Sequence, residues 1–357
     1  MGIRTRPLLR TLLAAGSLVS GTLAVSERRD RGRLAILNYH RILPPDLKAA
    51  YFNPDLAVTP EAFLRHCGTL RRHFDVFPLC EALEAAFGEG RRERPAAAIT
   101  FDDGYGDNHR YAAPILRQCG LRATFFVVAD LAGTEDPPWY DRLGRAFGAW
   151  CSRGGSRHLV DGDPLKAIHE GARGAGGASG LAHGAIRLAK GLSPQERKEL
   201  VDRLEAGSGG KPEWDPVDRI MDWGQLAEIA EAGNEIGSHS AAHEILPRLE
   251  DSALDQEVAG SKETIEGRLG RPVRSFAYPN GDVDDRVALA VERSGYRQAV
   301  TTESGRNDPT GDRYRLRRTF ISQERLKGLG EAASGLLLRM ELCGLSDRVL
   351  GWRRRPS

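Results

Sequence analysis

Residues 96–105 have the sequence AAAITFDDGY, in which a short apolar run ends abruptly in two carboxylates and a glycine. The apolar part predicts a buried β-strand, and α/β enzymes place their chemistry at the carboxyl ends of such strands. Successive side chains of an extended chain point in different directions, so one of Asp102 and Asp103 can face a metal while the other faces water or a substrate. A strand followed by a simple Asp-Gly turn is the alternative for this stretch.

Composition bounds the class of protein. The chain has 357 residues, 40% of them hydrophobic, which is enough for one large α/β domain or two small ones. The formal net charge of +2 gives no indication of nucleic acid as a main partner. Five cysteines are scattered without a CxxC pair, which argues against a disulfide framework or a zinc–cysteine site and favours reduced, packed thiols.

The first 33 residues form a segment of their own, in which an apolar run over residues 11–25 has arginines on both sides. The run is short for a membrane span and suits a signal peptide or a helix lying on a membrane surface. An ordinary helix packed on the domain is the alternative. We therefore expect membrane association or a place in the cell envelope, with a cytoplasmic location as the alternative.

Strand-like and helical segments alternate over residues 34–322, which predicts parallel strands joined by right-handed crossovers. Residues 131–220 interrupt the alternation, and we interpret them as an insertion that covers one face, with a flexible loop at 171–180. Residues 323–357 are expected to form a helical tail with a basic end. The predicted strands cover residues 34–42, 96–101, 123–128, 235–238, 273–278, 298–302 and 316–321.

Two histidines downstream suggest a metal site. His239 and His243 are four residues apart, and at a strand end that turns into a helix this spacing puts both imidazoles on one side. Two neutral imidazoles and one carboxylate, which Asp103 would supply, suit zinc or a related divalent ion and leave room for water and substrate. Solvated or capping histidines are the alternative for the pair taken alone.

The segments TFDDG at residues 100–104 and HSAAH at residues 239–243 resemble the first two motifs of the polysaccharide deacetylases, also called the NodB-homology family or carbohydrate esterase family four. Framework segments between them are also similar, and the resemblance runs from residue 34 to residue 321. It implies a distorted, incomplete parallel (β/α) barrel. It also implies that Asp103, His239 and His243 hold a divalent metal, and that Asp102 is the general base for the attacking water.

The third motif of the family departs from its usual form. The family has an arginine and a proline–aromatic pair here, whereas residues 276–281 read FAYPNG. Ala277 stands at the arginine position, and Asn280 stands where the family's aromatic residue donates a backbone N–H to the oxyanion. We expect Asn280 to serve in the same way and Tyr278 to lie on the substrate side. Arg318 is our candidate for the missing partner of Asp102, with a surface arginine as the alternative.

The family's last motif, Leu-x-His, supplies the general acid, but no histidine follows His243 in this sequence. His40 ends the first predicted strand, and closure of a barrel would bring it beside the last strand. We expect His40 to protonate the leaving amine, with a buried structural histidine as the alternative. His109, near Asp103 in sequence, is a further candidate, and the other histidines are expected on the surface or in packing positions.

These residues predict a metal-dependent hydrolase that removes acetyl groups from carbohydrate, in particular the N-acetyl groups of an amino-sugar polymer or glycan of the cell envelope or exopolysaccharide. Zinc is the expected ion, with cobalt, nickel or manganese as alternatives. Two other hypotheses stay open. One is an O-acetyl esterase or other small-amide hydrolase on the same scaffold, and the other is a non-catalytic carbohydrate-binding module.

Overall fold

The computed structural model describes residues 7–88, 93–153, 166, 170, 177–210, 214–328 and 331–346. Its centre is a sheet of eight strands, and two further short strands pair separately. The strands are β1 (Leu34–Tyr39), β2 (Arg41–Ile42), β3 (Ala57–Val58), β4 (Asp75–Val76), β5 (Ala96–Phe101), β6 (Thr124–Val127), β7 (Glu235–Ser238), β8 (Ser275–Ala277), β9 (Gln298–Val300) and β10 (Thr319–Phe320).

The main sheet has the order β10-β1-β5-β6-β7-β8-β9, with β4 paired to β5, and all of its pairs are parallel. An isolated parallel bridge between Val300 and Leu316 links β9 to the residues just before β10. The sheet therefore curls so that the two ends of this order lie close together. The predicted distorted, incomplete parallel barrel is confirmed.

Helices connect the strands and cover the outside of the curled sheet. Short π-helical turns at Asn108–Ala112 and Gln256–Gly260 lead into the α-helices that begin at Ala113 and Ser261. The helices are α1 (Pro7–Val19), α2 (Thr22–Arg29), α3 (Pro45–Ala50), α4 (Pro60–His73), α5 (Leu79–Phe87), α6 (Ala113–Cys119), α7 (Trp139–Ser152), α8 (Gly177–Ala189), α9 (Pro194–Gly207), α10 (Trp223–Glu231), α11 (Asp251–Asp255), α12 (Ser261–Leu269), α13 (Asp285–Arg293) and α14 (Glu331–Leu342).

Local sequence signals account for several helix ends. Thr59 accepts a hydrogen bond from the backbone N–H of Ala62 at the start of α4, where Pro60 takes the first helical position. Asp222 forms a capping box at the start of α10. The first predicted strand is interrupted at His40, which lies between β1 and β2. The strands predicted at residues 96–101 and 235–238 have the expected bounds, whereas the remaining predicted strands are present but shorter than expected.

Both faces of β5 are buried, and they face different surroundings. Ala96 and Ala98 pack in the cluster inside the curled sheet, whereas Ala97, Ile99 and Phe101 pack in the larger cluster against the surrounding helices. A fully buried strand explains the continuous apolar run in the sequence. Because side chains alternate, the inward positions of the strand continue through Thr100 to Asp102. The strand thus directs one carboxylate of the pair into the barrel.

The insertion at residues 131–220 is mainly helical. Helices α7, α8 and α9 pack on one another around a small core of their own, which includes Phe147 and Leu204. The side chain of Arg197 on α9 is buried and forms an ion pair with Glu244 of the main domain. Residues 177–180, expected in a flexible loop, instead form the first turn of α8, and residues 171–176 lie outside the described residues.

The N-terminal segment packs on the domain. Ala14 of α1 is fully buried, the Ser17 hydroxyl lies against the Met340 sulfur, and Glu27 of α2 forms an ion pair with Arg339 of α14. This packing is the alternative arrangement weighed from the sequence. Within the described ranges, no helix combines the length and the hydropathy that a membrane span requires. The arginines at residues 353–355 lie outside those ranges.

Candidate active site

The predicted site residues meet at one edge of the sheet, because parallel strands end on the same side. His40 follows β1, the Asp102–Asp103 pair follows β5, and His239 follows β7. The Asp102 N–H donates to the Tyr39 carbonyl at 3.0 Å, which places the ends of β1 and β5 side by side.

Asp103, His239 and His243 form the candidate metal centre. Their ligand atoms all lie within 4.8 Å of one another, and each histidine Nε2 is 3.6 Å from Asp103 Oδ1. His239 Nδ1 lies 2.7 Å from the Ala277 carbonyl, which can only accept a hydrogen bond. The proton of His239 is therefore on Nδ1, and its Nε2 lone pair faces the carboxylate. Burial lowers the pKa of both histidines, which keeps them neutral.

Unusual backbone conformations mark this region. Among the described residues, those other than glycine that have positive φ angles are Asp103 (70°), Ser240 (67°), His243 (61°) and Asn280 (58°). The left-handed backbone conformation is unfavourable for most residues other than glycine. It persists where surrounding contacts fix it, often at functional sites. At Asp103 the conformation ends the extended run of β5, so that its side chain turns away from the direction taken by Asp102.

The residues present fit a divalent cation. Burial and the adjacent charge of Asp102 raise the pKa of Asp103 to about 8, as expected for a carboxyl group that lacks a compensating positive charge. The Asp103 side chain is 5% exposed, so water does little to stabilise its charge. One carboxylate and two neutral imidazoles are a donor set typical of zinc and related ions, with positions left for water or substrate. An ion here would supply the missing charge.

Asp102 is in the opposite electrostatic situation. Arg318 donates to both of its oxygens, from Nη1 to Oδ1 at 2.6 Å and from Nη2 to Oδ2 at 2.7 Å. Burial alone would raise the pKa of Asp102, but the charge of Arg318 outweighs burial and holds that pKa well below its usual range. The prediction that Arg318 pairs with Asp102 is confirmed. Arg318 itself is only 1% exposed, so its guanidinium is committed to this pair and not to a surface role.

His40 faces the same carboxylate from the end of β1. Its Nε2 is 4.0 Å from Asp102 Oδ2, and its buried Nδ1 has no hydrogen-bond partner among the described residues. The Asn108 amide holds the backbone of His40 by donating to its carbonyl at 2.9 Å. Burial lowers the pKa of His40 to about 4, so the imidazole of the free protein is neutral at neutral pH.

The two remaining predicted residues differ in their surroundings. Asn280 lies in the turn after β8, and its buried Nδ2 lacks a partner in the described part of the chain. Tyr278 is fully buried in the core between sheet and helices, and its hydroxyl donates to the Tyr314 carbonyl at 2.9 Å. The expected placement of Tyr278 on the substrate side is therefore wrong for its side chain, because packing encloses the ring and a backbone group occupies the hydroxyl.

Tyr140 of α7 reaches the site although the sequence reasoning missed it. Its hydroxyl donates to Asp103 Oδ1 at 2.7 Å, and its ring centroid is 4.9 Å from that of His243. Lys190, just after α8, is also near: burial lowers its pKa, and the charges of Asp282 and Asp103 oppose that shift. The available signal was the Trp-Tyr-Asp sequence at residues 139–141, within the insertion expected to cover one face, and sequence spacing cannot show that this segment returns to β5.

The other histidines lie elsewhere. His109, a further acid candidate, forms a 2.8 Å pair with Glu228 on the surface. His66 is buried against the Tyr39 hydroxyl, with its Nδ1 3.1 Å from that oxygen, as expected of a packing histidine. His158 and His169 lie outside the described residues.

A curled parallel sheet with a buried carboxylate pair and an Asp-His-His cluster at its carboxyl edge defines a hydrolase of the NodB type. Residues 89–299, more than half of the chain, match the sequence pattern of the polysaccharide deacetylases. The chain therefore belongs to the polysaccharide deacetylase family, whose enzymes hydrolyse carbon–nitrogen bonds and generally depend on a metal ion.

Individual relatives agree with this assignment. The chain is 22% identical to YxkH of Bacillus subtilis (strain 168), which is named as a polysaccharide deacetylase, over 81% of this chain and 72% of that protein. The structure of the Streptococcus pyogenes deacetylase PplD in complex with acetate has the same fold, with a TM-score of 0.55 and 18% identity over 87% of this chain and 98% of that one. The structure of IcaB from Ammonifex degensii has a TM-score of 0.53 and 16% identity, over 86% of this chain and 97% of that one.

Proposed function

We propose that this protein is a metal-dependent N-deacetylase that acts on the acetylated amino sugars of a polysaccharide or glycan, with zinc as the ion. The proposal rests mainly on two adjacent carboxyl groups whose pKa values are shifted in opposite directions. Asp102 is held charged by Arg318, whereas the pKa of Asp103 is raised beside two neutral histidines. Pairs of titratable groups whose pKa values are pushed apart in one site are typical of divided catalytic roles.

Each residue has a defined task in amide hydrolysis. A divalent ion held by Asp103, His239 and His243 would polarise the acetyl carbonyl and lower the pKa of the attacking water. Asp102 accepts a proton as the water oxygen bonds to the carbonyl carbon, and Arg318 keeps the carboxylate in position throughout. The backbone N–H of Asn280 is the proposed donor to the oxyanion.

Breakage of the carbon–nitrogen bond requires a proton for the amine nitrogen, and His40 is the proposed donor. Because the pKa of His40 is about 4 in the free protein, the imidazole is not charged at neutral pH before the reaction. The proton that Asp102 takes from water can supply it once the 4.0 Å between Asp102 Oδ2 and His40 Nε2 closes to hydrogen-bond distance in the substrate complex. One proton then passes from water through Asp102 and His40 to the leaving amine, and acetate is released.

The depressed pKa of His40 also favours a second candidate, an O-acetyl esterase. An alkoxide leaves more readily than an amine, so an ester needs less help from an acid. No other histidine of the described residues shares the site with His40, His239 and His243. Comparison of amide and ester substrates therefore distinguishes the two functions directly.

The proposed place of action is the cell envelope, with the first two helices lying against a membrane surface. Leu12, Leu18 and Val25 are exposed on α1 and α2, with Arg28 and Arg29 at the end of α2. A Leu12→Ser, Leu18→Ser, Val25→Ser variant should lose co-sedimentation with anionic lipid vesicles and keep its thermal stability. Equal recovery of the variant and the parent protein with vesicles would contradict the membrane part of the proposal.

The central test is an acetate-release screen over N-acetylated and O-acetylated glycans, combined with metal analysis of the same sample. The expected result is one divalent ion per chain, acetate release from N-acetylated amino sugars, and loss of activity with a chelator that zinc reverses. The Asp102→Asn variant is the matched control for contaminating hydrolases. Release from O-acetyl substrates alone would establish the esterase, and absence of bound metal with undiminished activity would refute the proposed mechanism.

A further inference from the structure

The first turn of α7 contacts the Asp103–Tyr105 loop through two reciprocal tyrosine–aspartate hydrogen bonds. The Tyr140 hydroxyl donates to Asp103 Oδ1 at 2.7 Å, and in the other direction the Tyr105 hydroxyl donates to Asp141 Oδ2 at 2.7 Å. Each side of the contact thus contributes one tyrosine and one aspartate. The loop is part of β5's carboxyl end, whereas the helix belongs to the insertion.

Burial makes this contact well defined. Tyr105 is fully buried, and Asp141 is 2% exposed. The other oxygen of Asp141 accepts a hydrogen bond from the Tyr51 hydroxyl at 2.8 Å. The guanidinium of Arg41 lies over the ring of Tyr105, with its central carbon 4.2 Å from the ring centroid. The helix is therefore fixed on the barrel by satisfied buried groups, which are costly to separate.

The Tyr140 hydroxyl and both imidazoles approach the same oxygen of Asp103. His239 Nε2 and His243 Nε2 are each 3.6 Å from Oδ1, the atom that Tyr140 contacts. A carboxylate oxygen has two lone-pair directions, so Oδ1 can accept from the tyrosine and still bind a cation. Without the tyrosine hydrogen bond, the Asp103 carboxylate can rotate about its Cβ–Cγ bond and turn Oδ1 away from the histidines, because this torsion has broad energy minima.

We infer that Tyr140 is a positioning residue that fixes Asp103 Oδ1 towards the two histidines, so that the helical insertion is a working part of the metal centre. The inference rests on the proposed metal-dependent function and adds a role for a segment outside the Asp-Asp and His-His motifs. Groups that hydrogen-bond to metal ligands commonly contribute 10–100-fold to metal affinity. Tyr140 should contribute in this range, through an oxygen that also serves as a ligand.

The test is the Tyr140→Phe variant of the full chain, titrated with zinc and with cobalt in competition with a chromophoric chelator. The variant keeps the aromatic ring beside His243 and removes only the hydroxyl. We expect its affinity for both ions to fall by about 10–100-fold, and the visible spectrum of the bound cobalt to change. Tyr314→Phe is the matched control, because it removes a hydroxyl that bonds to the Tyr296 carbonyl.

The outcomes separate this inference from the proposed function. Metal affinity within twofold of the parent protein in Tyr140→Phe, with metal binding abolished in Asp103→Ala, would overturn the role of Tyr140 and leave the metal site intact. A parent protein that binds neither ion would overturn the metal site and the inference together. Thermal melting of the metal-free proteins separates ligand positioning from general destabilisation. Tyr140→Phe should melt close to the parent protein, whereas a large fall in its Tm together with the loss of affinity would count against a positioning role.

Discussion

Asp102 and Asp103 are neighbours in sequence and differ in almost every physical respect. Asp102 accepts two hydrogen bonds from Arg318, which hold its pKa low, whereas Asp103 faces two neutral imidazoles and has a pKa of about 8. The Asp102 side is a finished ion pair formed entirely by the protein. The Asp103 side is a set of donors that lacks a positive charge.

This difference matches the two roles proposed for the dipeptide, a general base and a metal ligand. A general base must be ionised and correctly aimed before substrate arrives, and a buried bidentate arginine achieves both. A metal ligand set must instead hold donor atoms close together while leaving a place for the ion. The backbone separates the two tasks, because the positive φ angle of Asp103 turns its side chain out of the alternation that β5 imposes on Asp102.

The largest effect is expected from removing the ligand side of the pair. Asp103→Ala should abolish stoichiometric metal binding and lower kcat/KM at least about a thousandfold, since a metal ion contributes several kcal/mol to transition-state stabilisation. Metal analysis and acetate release from the same preparation test this expectation. Asp308→Ala, at an exposed carboxylate, is the control. Metal content equal to that of the parent protein would remove Asp103 from the ligand set.

Removing the base side should separate metal binding from catalysis. Asp102→Asn keeps the shape of the side chain, so the variant should bind metal as the parent protein does. Its kcat should fall about 10²–10⁴-fold, which is the usual contribution of a positioned general base. Parallel measurements of metal content and kcat test the division of roles. Retained turnover would show that another group accepts the proton.

Breaking the ion pair should affect stability as well as rate. Arg318→Met leaves Asp102 buried without a counter-charge, which typically costs about 3–5 kcal/mol of unfolding free energy. Denaturant unfolding measures this loss, and the deacetylase rate should fall with it. Arg318→Lys restores the charge without the bidentate geometry, so it should recover part of the stability. If Arg318→Met and Arg318→Lys had equal unfolding free energies, the charge of Arg318 would not be what stabilises the protein.

His40 provides a smaller and more selective test. His40→Gln should slow amide hydrolysis about 10²-fold or more and leave O-acetyl ester hydrolysis much less affected, because the amine requires a proton and the alkoxide needs it less. The ratio of the two rates on matched substrates is the informative quantity. An equal, small reduction of both rates would exclude His40 as the acid.

The smallest expected effect on activity concerns His66, which is buried like the site histidines and lies outside the site. Burial lowers its pKa to about 3 in the folded protein from an ordinary value of 6.5. The unfolded chain therefore binds an extra proton between these pH values, and stability falls as pH drops from 6.5 towards 3. This loss of stability follows because the unfolded chain binds more protons than the folded chain in this pH range. His66→Gln should have a correspondingly shallower dependence of unfolding free energy on pH than the parent protein, and equal slopes would contradict the assignment.

Much of the site could be predicted because its residues lie at strand ends. An apolar run such as residues 96–101 predicts a strand, and parallel strands bring their carboxyl ends to one edge. That rule is sufficient to place His40, Asp102, Asp103 and His239 together. It was not sufficient for Tyr278, which directly follows β8 and yet turns into the core, because the rule locates the backbone and not the direction of a side chain.

Sequence alone determined the alternation of strands and helices, the carboxylate pair and the histidine pair, since these depend on local periodicity and spacing. Tertiary structure decided which other side chains contact the carboxylate pair and the histidine pair. Arg318 reaches Asp102 across 216 residues of sequence, and Tyr140 reaches Asp103 from a helix of the insertion. The physical reason is that ion pairs and hydrogen bonds depend on distances of about 3 Å between side chains. Such distances arise only when the sheet curls and the insertion packs onto it.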